Sequence, residues 1–375
     1  MSSYWLSERH EPVCVVPLEG PADVVVVGGG ITGCAAALTL ARAGRKVRLC
    51  EAREVAGGAS GRNGGFALRG LPAAFDVSVA SIGAERAREA MARTEAALDR
   101  LEAIAGDAFR RTGSLRLAAD DIERDELRGE YELLREAGFA AEWIEPVGGL
   151  LDGRFAAAIR HPPDGVLQPA RLVRRLAALA AEAGVEIRER TRVASIEQLA
   201  GTPAIICTDG YPSGLLGALE GLIVPTRGQV IATEPVLGRR FAVPHYGRHG
   251  FDYWHQAPDG RIVAGGFRDV ALETEFTAEE EVTEPVQAAL RDFVNGLMGR
   301  ELRVDFAWAG IFGLVLDFMP VVGRVPGSDE VWVAAGYSGH GNVLGFASGE
   351  LVARALLGEG DSLLPLFEPA RLLNV

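Results

Sequence analysis

Three glycines and one carboxylate stand at a spacing that suits the binding of a dinucleotide. Gly28, Gly30 and Gly33 form the pattern GxGxxG directly after the apolar run Val24–Val27. In such a turn the first glycine allows the bend, the second lets the backbone approach a pyrophosphate, and the third lets a helix pack closely on a strand. The helix start offers free N–H groups and positive dipole to the phosphates. Glu51 ends the next apolar run at the distance expected for a carboxylate that binds ribose hydroxyls, so the segment predicts dinucleotide binding rather than an ordinary glycine-rich turn.

Two further glycine-rich runs indicate that the ligand is long. The first is "GGASGRNGG" at Gly57–Gly65, and the second is "GYSGHGN" at Gly336–Asn342, which opens the last predicted helix. The GxGxxG pattern alone does not distinguish NAD from FAD. Three glycine-rich loops, one of them far away in sequence, suit a ligand that the chain meets repeatedly, and extended FAD is such a ligand.

Strand and helix patterns alternate at both ends of the chain, which predicts a parallel sheet. The predicted strands there are Val24–Val27, Val47–Cys50 and Val331–Ala335, with another starting in "GVEIRE". The predicted helices are 31–44, 80–104, 120–137, 171–183 and about 343–357.

The middle of the chain has the pattern of antiparallel strands. Its segments are "RGQVIATEP", "GFDYWHQAPDGRIVAGGF" and "LRVDFAWAGIF", and Pro258-Asp259-Gly260 predicts a hairpin turn in the second. We therefore predict an α/β chain with a discontinuous Rossmann-type domain and an inserted α+β domain built on an antiparallel sheet. The first comprises residues 1–80, 150–215 and 310–375, and the second comprises residues 81–149 and 216–309.

Composition excludes several classes of partner. The 375 residues are enough for about two domains, and the net charge of −13 argues against nucleic acid or an anionic membrane. No basic segment followed by an apolar run begins the chain, and no run approaches the roughly 18 apolar residues of a membrane span. The four cysteines form no CxxC pair, so we expect no metal site, no disulfide framework and a cytoplasmic protein.

The sequence resembles the FAD-dependent amine and amino-acid oxidases, which include D-amino-acid oxidase, glycine oxidase and sarcosine oxidase. The segments "SYW", "GASGRNGG", "PTRGQV", "PDGRIVAGG" and "GYSGHG" look most like the γ-glutamylputrescine oxidase branch. The resemblance covers nearly the whole chain and implies a substrate domain whose sheet roofs the flavin. It also implies that a small amine or amino acid loses hydride to flavin N5, that the imine hydrolyses, and that O2 is reduced to H2O2.

The resemblance also implies which residues bind the cofactor. The last glycine-rich loop precedes a helix, and N–H groups at that helix start would stabilise negative charge on reduced flavin. The implied cofactor-binding residues are Gly28, Gly30, Ile31, Thr32, Gly33, Glu51, Ala52, Arg53, Ala59, Ser60, Arg62, Asn63, Gly64, Gly65, Val193, Thr208, Gly210, Gly310, Gly339, Gly341, Asn342 and Val343.

Two departures from the family change the expected chemistry. Relatives attach flavin to a Cys after the "WxG" strand or to a His near "GASGRNGG"; this chain has neither, so we expect non-covalent FAD. Relatives also use a lysine above the flavin to activate O2. The single lysine here, Lys46, lies in the first βαβ unit, so either His255 or Arg62 supplies the cation or the acceptor is not O2.

The predicted hairpin supplies the substrate-facing candidates. Alternation places Phe251, Tyr253 and His255 on one face, so Tyr253 and His255 would face the substrate if that face roofs the flavin. Core packing for Tyr253 and a structural hydrogen bond for His255 are the alternatives. Together with Arg62 and His340 they are the catalytic candidates, and Arg248 and Arg268 are candidate carboxylate clamps.

Three other functions fit the same motifs. They are a flavin dehydrogenase with an acceptor other than O2, an FAD-bound subunit of a hetero-oligomer, and an NAD(P)-linked reductase that uses the first motif alone. The sequence leaves the substrate and the oligomeric state open.

Overall fold

The computed structural model describes residues 3–13, 17–199 and 201–373, so Cys14 lies outside the described residues. The helices are α1 (Ile31–Arg42), α2 (Phe75–Ile82), α3 (Ala84–Ala105), α4 (Asp121–Glu136), α5 (Pro169–Glu182), α6 (Leu272–Glu275), α7 (Glu284–Met298), α8 (Val343–Leu356) and α9 (Leu364–Phe367). The strands are β1 (Val24–Val27), β2 (Val47–Cys50), β3 (Phe66–Ala67), β4 (Phe109–Arg110), β5 (Ser114–Ala118), β6 (Glu142–Ile144), β7 (Ala157–His161), β8 (Gly165–Leu167), β9 (Glu186–Arg188), β10 (Ala204–Ile206), β11 (Val224–Pro235), β12 (His245–Gly247), β13 (Asp252–Gln256), β14 (Arg261–Gly266), β15 (Val304–Leu314), β16 (Val321–Arg324) and β17 (Val331–Ala335).

A six-stranded sheet forms the first layer, in the order β16-β17-β10-β1-β2-β9. β1 pairs in parallel with β2 and β10, β9 and β17 extend the parallel arrangement, and β16 runs antiparallel at the edge. The carboxyl ends of β1, β2 and β10 therefore meet at one edge, which is where α/β sheets bind ligands. The predicted α/β class with a Rossmann-type sheet is confirmed.

An eight-stranded sheet forms the second layer, in the order β15-β11-β14-β13-β12-β5-β7-β6. Its strands are antiparallel except for the parallel pair β5 and β12, which joins two distant segments of the chain. In the hairpin of β13 and β14, Tyr253 pairs with Gly265. A Cβ atom on Gly265 would lie 2.4 Å from the Tyr253 ring, so glycine is needed for the ring to lie across the sheet. A small third sheet has the order β3-β8-β4.

Helices cover the sheets through close contacts between small residues. α1 packs on α8, where a Cβ atom on Gly349 would lie 2.3 Å from the Thr32 carbonyl oxygen. On the back of the eight-stranded sheet, Trp254 is fully buried and its ring meets Phe293 of α7 at 5.0 Å. Since Trp254 points to this core, Tyr253 and His255 face the opposite side, as the alternation predicted.

One predicted helix differs from the structure, and two elements contact a different sheet from the one that we expected. The helix predicted over 80–104 is two helices, because Gly83 has φ of 85°, which an α-helix cannot accommodate. α3, which we expected in the inserted domain, packs on α5 and α8 beside the six-stranded sheet. β7, which we expected in the Rossmann-type domain, pairs with β5 and β6 in the larger sheet.

Within the described ranges, no helix is both long enough and apolar enough to cross a membrane. The same residues contain no group of three or more His, Cys, Asp or Glu side chains placed to hold a metal ion.

Candidate functional site

Two adjoining cavities are lined by residues from both large sheets. The first, of about 380 Å³, lies at the carboxyl ends of β1 and β2, and the second, of about 210 Å³, lies against β11, β13 and β15. Five residues line both cavities: Ala59, Asn63, Phe312, Gly339 and Asn342. The shared walls make one elongated space, which suits an extended dinucleotide with a second molecule at one end.

The GxGxxG turn forms one wall of the first cavity, together with Ile31 and Thr32. Gly28 has φ of 113°, and a Cβ atom there would lie 2.5 Å from the Cys207 carbonyl oxygen. A Cβ atom on Gly30 would lie 2.8 Å from Ser60 Oγ. A ligand in the cavity could therefore approach the backbone closely, because these two positions have no side chains.

Glu51 is fixed at the end of β2 by two backbone donors. Gly29 N–H donates to Oε2 at 2.6 Å, and Arg53 N–H donates to Oε1 at 2.7 Å. Each carboxylate oxygen can accept further hydrogen bonds, and Glu51, Ala52 and Arg53 all line the first cavity. Hydroxyls of a ribose are suitable donors for that carboxylate.

The segment 59–65 is held against both other glycine-rich loops. Ser60 Oγ accepts a hydrogen bond from Ile31 N–H at 3.0 Å, at the start of α1. The amides of Asn63 and Asn342 exchange two hydrogen bonds of 3.1 Å each, and Asn342 also donates to the Phe66 carbonyl at 2.8 Å. These side chains bring together loops that are far apart in the sequence.

The start of α8 lies between the two cavities. Gly339, Gly341 and Asn342 line the first, and Gly339, Asn342 and Val343 line the second. The positive end of this helix therefore faces the space that both cavities share.

Val193 and Thr208 also line the first cavity, together with Thr191 and Arg192. Thr208 Oγ1 is buried, and no residue in the described part of the chain gives it a hydrogen-bond partner. A buried hydroxyl without a partner in a cavity wall indicates a missing polar group, because such burial is costly.

Three of the predicted cofactor residues do not line either cavity. They are Gly33, Gly210 and Gly65. A Cβ atom on Gly33 would lie 1.9 Å from the Gly28 carbonyl oxygen, and one on Gly210 would lie 2.3 Å from the backbone of Phe312. A Cβ atom on Gly65 would lie 2.8 Å from the Leu167 carbonyl oxygen. These glycines allow the elements around the site to pack closely, and the remaining predicted residues form its walls.

Tyr253 and His340 both line the second cavity. Burial raises the pKa of Tyr253 to about 12, so the phenol is neutral at pH 7, and its ring meets Phe66 edge-on at 5.5 Å. Burial lowers the pKa of His340 to about 4, so this imidazole is also neutral at pH 7.

His255 does not line either cavity, which corrects the expectation that it faces the substrate. Its Nε2 lies 2.9 Å from the Gly64 carbonyl oxygen, and its ring stacks on Trp5 at 6.0 Å. Burial lowers its pKa to about 4, which disfavours the charged form that would replace the missing lysine. The structural alternative for His255 fits this geometry.

Arg62 lines the second cavity and is held on several sides. Its Nε donates to the Gly57 carbonyl at 3.0 Å, and its guanidinium lies 3.5 Å from the Glu280 carboxylate. A Cβ atom on Gly310, another wall residue, would lie 2.9 Å from Arg62 Cβ. Lys46 is remote from both walls, at the start of β2, where Nζ donates to the Glu19 carbonyl at 3.1 Å.

The structure distinguishes the two candidate carboxylate clamps. Arg248 is ion-paired with Asp252 at 2.6 Å and with Asp269 at 2.9 Å. Arg268 lines the second cavity, lies over the Phe251 ring at 4.4 Å, and has no carboxylate within 4 Å among the described residues. The described wall of this cavity contains no Asp or Glu, so its charge is positive.

Two acidic residues of the site were missed by the sequence analysis. Asp209 accepts hydrogen bonds from Gly336 N–H at 2.8 Å and Gly313 N–H at 3.1 Å, and burial raises its pKa. Glu280 accepts from Tyr211 at 2.6 Å and pairs with Arg53. The signal available for Asp209 was its position between Thr208 and Gly210, two predicted cofactor-binding residues, whereas nothing local marked Glu280.

These observations fit FAD better than a shorter ligand. The glycine turn, the Glu51 carboxylate and the partnerless Thr208 hydroxyl would serve the nucleotide half. The start of α8 and segment 59–65 continue the walls to the second cavity, where the isoalloxazine ring would lie.

The chain matches the sequence model of a known family over residues 23–355, described as FAD dependent oxidoreductase and abbreviated DAO. It is 27% identical to gamma-glutamylputrescine oxidoreductase of Escherichia coli, over 96% of this chain and 90% of that protein. It is also 27% identical to glycine oxidase of Bacillus licheniformis, over 90% and 93% respectively. The crystal structure of L-proline dehydrogenase from P. horikoshii superposes with a TM-score of 0.79 and 24% identity, over 95% of this chain and 99% of that one, which shows a shared fold.

Proposed function

Because the chain belongs to the DAO family of FAD-dependent oxidoreductases, we propose that it oxidises the C–N bond of an amino acid whose carboxylate pairs with Arg268. The observation that carries this proposal is the second cavity, which combines an arginine lacking a carboxylate partner among the described residues with a described wall free of acidic side chains. Relatives named glycine oxidase and gamma-glutamylputrescine oxidoreductase act on compounds that carry both an amino and a carboxylate group, as the proposal requires.

The residues around the first cavity would hold FAD without a covalent bond. FAD supplies the acceptor for a hydride from the carbon next to the substrate nitrogen. Glu51 and the GxGxxG turn would bind the nucleotide half, and the start of α8 would stabilise negative charge on the reduced ring. Acid precipitation should release all of the flavin; flavin that stays with the precipitated protein would contradict non-covalent binding.

The residues around the second cavity would orient the substrate and exclude water. Phe66, Phe312 and Val343 provide an apolar wall, and Arg268 would fix the carboxylate in two parallel hydrogen bonds. His340 is neutral at pH 7, so it can accept a hydrogen bond from the substrate amine without adding positive charge. Fixing the C–H bond in a dry cavity supplies much of the catalysis that such a reaction needs. The imine then hydrolyses to a carbonyl compound and ammonia or an amine.

We propose O2 as the electron acceptor, with H2O2 as its product and Arg62 as the cation beside the site. A fixed positive charge favours transfer of the first electron to O2, because that step produces an anion. A dehydrogenase with another acceptor is the second candidate. The observation that favours it is that no lysine lines the second cavity in the described part of the chain. Burial also lowers the pKa of His255 and of His340 to about 4, which disfavours their charged forms.

An anaerobic panel tests the proposed reaction. The purified protein should lose its visible flavin absorbance when it is mixed with at least one amino acid, and should lose it far more slowly with the matching decarboxylated amine. NADH and NADPH test the reductase alternative. If light reduces the flavin normally but no amino acid or amine does, the chain is a cofactor-binding subunit and the proposal fails. H2O2 production in air then separates an oxidase from a dehydrogenase.

A further inference from the structure

Segment 61–65, which contributes Arg62, Asn63 and Gly64 to the cavity walls, has a hydrogen-bond donor on every carbonyl. Five consecutive carbonyl groups, from Gly61 to Gly65, accept a hydrogen bond. In chain order, the donors are Ser3 Oγ at 2.6 Å, Trp308 Nε1 at 2.8 Å, Trp5 Nε1 at 2.7 Å, His255 Nε2 at 2.9 Å and Leu167 N–H at 2.7 Å. Since a carbonyl only accepts, the His255 proton must be on Nε2.

Holding these carbonyls also fixes the direction of the N–H groups. In a planar trans peptide the N–H points opposite to the preceding carbonyl. The Arg62 carbonyl faces Trp308 and the Asn63 carbonyl faces Trp5, so the N–H groups of Asn63 and Gly64 point away from these indoles. Both residues line the second cavity, and neither N–H has an acceptor among the described residues. By contrast, Gly65 N–H is satisfied by Asn63 Oδ1 at 2.8 Å.

Two of the five donors come from the N-terminal segment Ser3–Glu8, which precedes the family match at residues 23–355. Trp5 is 2% exposed. Its ring packs close to Gly65, where an added Cβ atom would lie 3.1 Å from the ring. The segment is itself anchored, because Gln168 donates to the Trp5 carbonyl at 3.1 Å and Glu8 pairs with Arg171 at 2.8 Å. The sequence motif "SYW" therefore packs against segment 61–65.

We propose that Trp5 is a positioning residue for the flavin. By holding the Asn63 carbonyl, its indole N–H turns the Gly64 N–H towards the polar atoms of the isoalloxazine ring. These atoms gain electron density on reduction, so an N–H group aimed at them stabilises the reduced state more than the oxidised state. The proposal rests on FAD binding and is independent of the substrate.

Replacing Trp5 by Phe keeps an aromatic ring but removes the donor. We expect Trp5→Phe to bind FAD about 3- to 10-fold more weakly, the range for one lost hydrogen bond, and to have a more negative flavin reduction potential. FAD binding to apoprotein and the potential against reference dyes are both measured without substrate. Failure of the proposed amino-acid oxidation would therefore leave this test intact.

Trp254→Phe is the matched control. Trp254 is equally buried, but its Nε1 has no partner in the described part of the chain. We expect its FAD affinity and potential to match the wild type. The proposal would be overturned if the reduction potential of Trp5→Phe equalled that of the wild type, or if it shifted only as much as that of Trp254→Phe. A loss of thermal stability in Trp5→Phe would not change this conclusion.

Ser3→Ala provides a second test if Trp5→Phe does not fold. It removes the donor to the Gly61 carbonyl, two residues earlier, and should shift the potential in the same direction by less; an unchanged potential there would contradict the mechanism.

Discussion

Arginine side chains around the second cavity differ in what surrounds their charge. Arg248 is neutralised by two aspartates, and Arg62 lies beside Glu280. Arg268 lies over the rings of Phe251 and Phe312 and has no carboxylate within 4 Å among the described residues. In sequence, Arg248 and Arg268 were equivalent candidates, because nothing local indicates which of them Asp252 and Asp269 would pair with. The distinction depends on tertiary contacts, and it is the reason that we propose Arg268 rather than Arg248 as the residue that binds the substrate carboxylate.

Replacing Arg268 by Met should discriminate between substrates. We expect kcat/KM for the amino acid to fall about 10- to 100-fold, the range for losing hydrogen bonds to a charged group. Activity on the decarboxylated amine should change little, because that substrate has no group for Arg268 to hold. Steady-state kinetics on the two substrates make the comparison within one variant. An equal loss on both would show that Arg268 supports the fold of the cavity and does not bind a carboxylate.

The reaction of reduced enzyme with O2 tests which residue supplies a cation. Because burial lowers the pKa of His255 to about 4, its charge does not change between pH 6 and 9. We expect the reoxidation rate to show no imidazole titration over that range, and Arg62→Ala to be slower at every pH. Stopped-flow mixing of photoreduced enzyme with oxygenated buffer measures both. A rate that falls with a midpoint near the ordinary histidine pKa of about 6.5, and that loses this dependence in His255→Ala, would reverse the assignment.

At the scale of elements, the glycine-rich loops matter because each brings its backbone to a cavity wall. The strands Val24–Val27, Val47–Cys50 and Val331–Ala335 were predicted with the bounds that the structure shows, since short apolar runs between turn residues define them locally. The pairing of β5 with β12 was not predictable, because their contact depends on the whole sheet. The packing of Trp5 behind segment 61–65 was missed for the same reason.

Gly30→Val tests the first loop. The added side chain would meet Ser60 Oγ, for which the Cβ atom alone would be 2.8 Å away, and would fill the wall of the first cavity. We expect FAD affinity to fall about 10- to 100-fold or more, as for overpacking a close contact, and the protein to purify largely colourless.

Gly129→Val is the control for this substitution. Gly129 is exposed on α4, and no atom lies within 4 Å of the position of an added Cβ. That variant should retain full flavin, as measured by the ratio of visible to ultraviolet absorbance. Full flavin occupancy in Gly30→Val would remove the first loop from the proposed site.

At the scale of the whole molecule, four histidines connect stability to pH: His161, His245 and His255 are buried, and His340 is partly buried in the wall of the second cavity. Burial lowers the pKa of His245 to about 3 and of His255 and His340 to about 4, and it lowers that of His161 as well. These groups are neutral in the folded state at pH values where the unfolded chain is protonated. Burial of Asp164 has the opposite effect, because it raises the pKa of that carboxyl to about 6.

We expect the free energy of unfolding to fall as the pH is lowered from about 6.5 towards 4, because the unfolded chain then binds more protons. Each histidine contributes a slope of up to about 1.4 kcal/mol per pH unit. The carboxyls whose pKa is raised by burial, Asp164, Asp209 and Asp252, offset part of this slope. Urea unfolding at a series of pH values measures this slope. His245 lines neither cavity, and His245→Asn should reduce the slope of the unfolding free energy against pH. A pH dependence that is the same in His245→Asn and in the wild type would mean that His245 is solvated in the folded protein.

The central claim is that the chain removes hydride from the carbon that carries the substrate nitrogen. The most direct test is anaerobic single-turnover reduction of the bound flavin by the best amino acid from the panel, compared with the same compound deuterated at that carbon. The account predicts that the visible flavin absorbance is lost several-fold more slowly with the deuterated compound, and that one carbonyl product forms per flavin reduced. Equal rates for the two compounds with the reduction itself shown to be rate-limiting, or flavin reduction without carbonyl product, would contradict it.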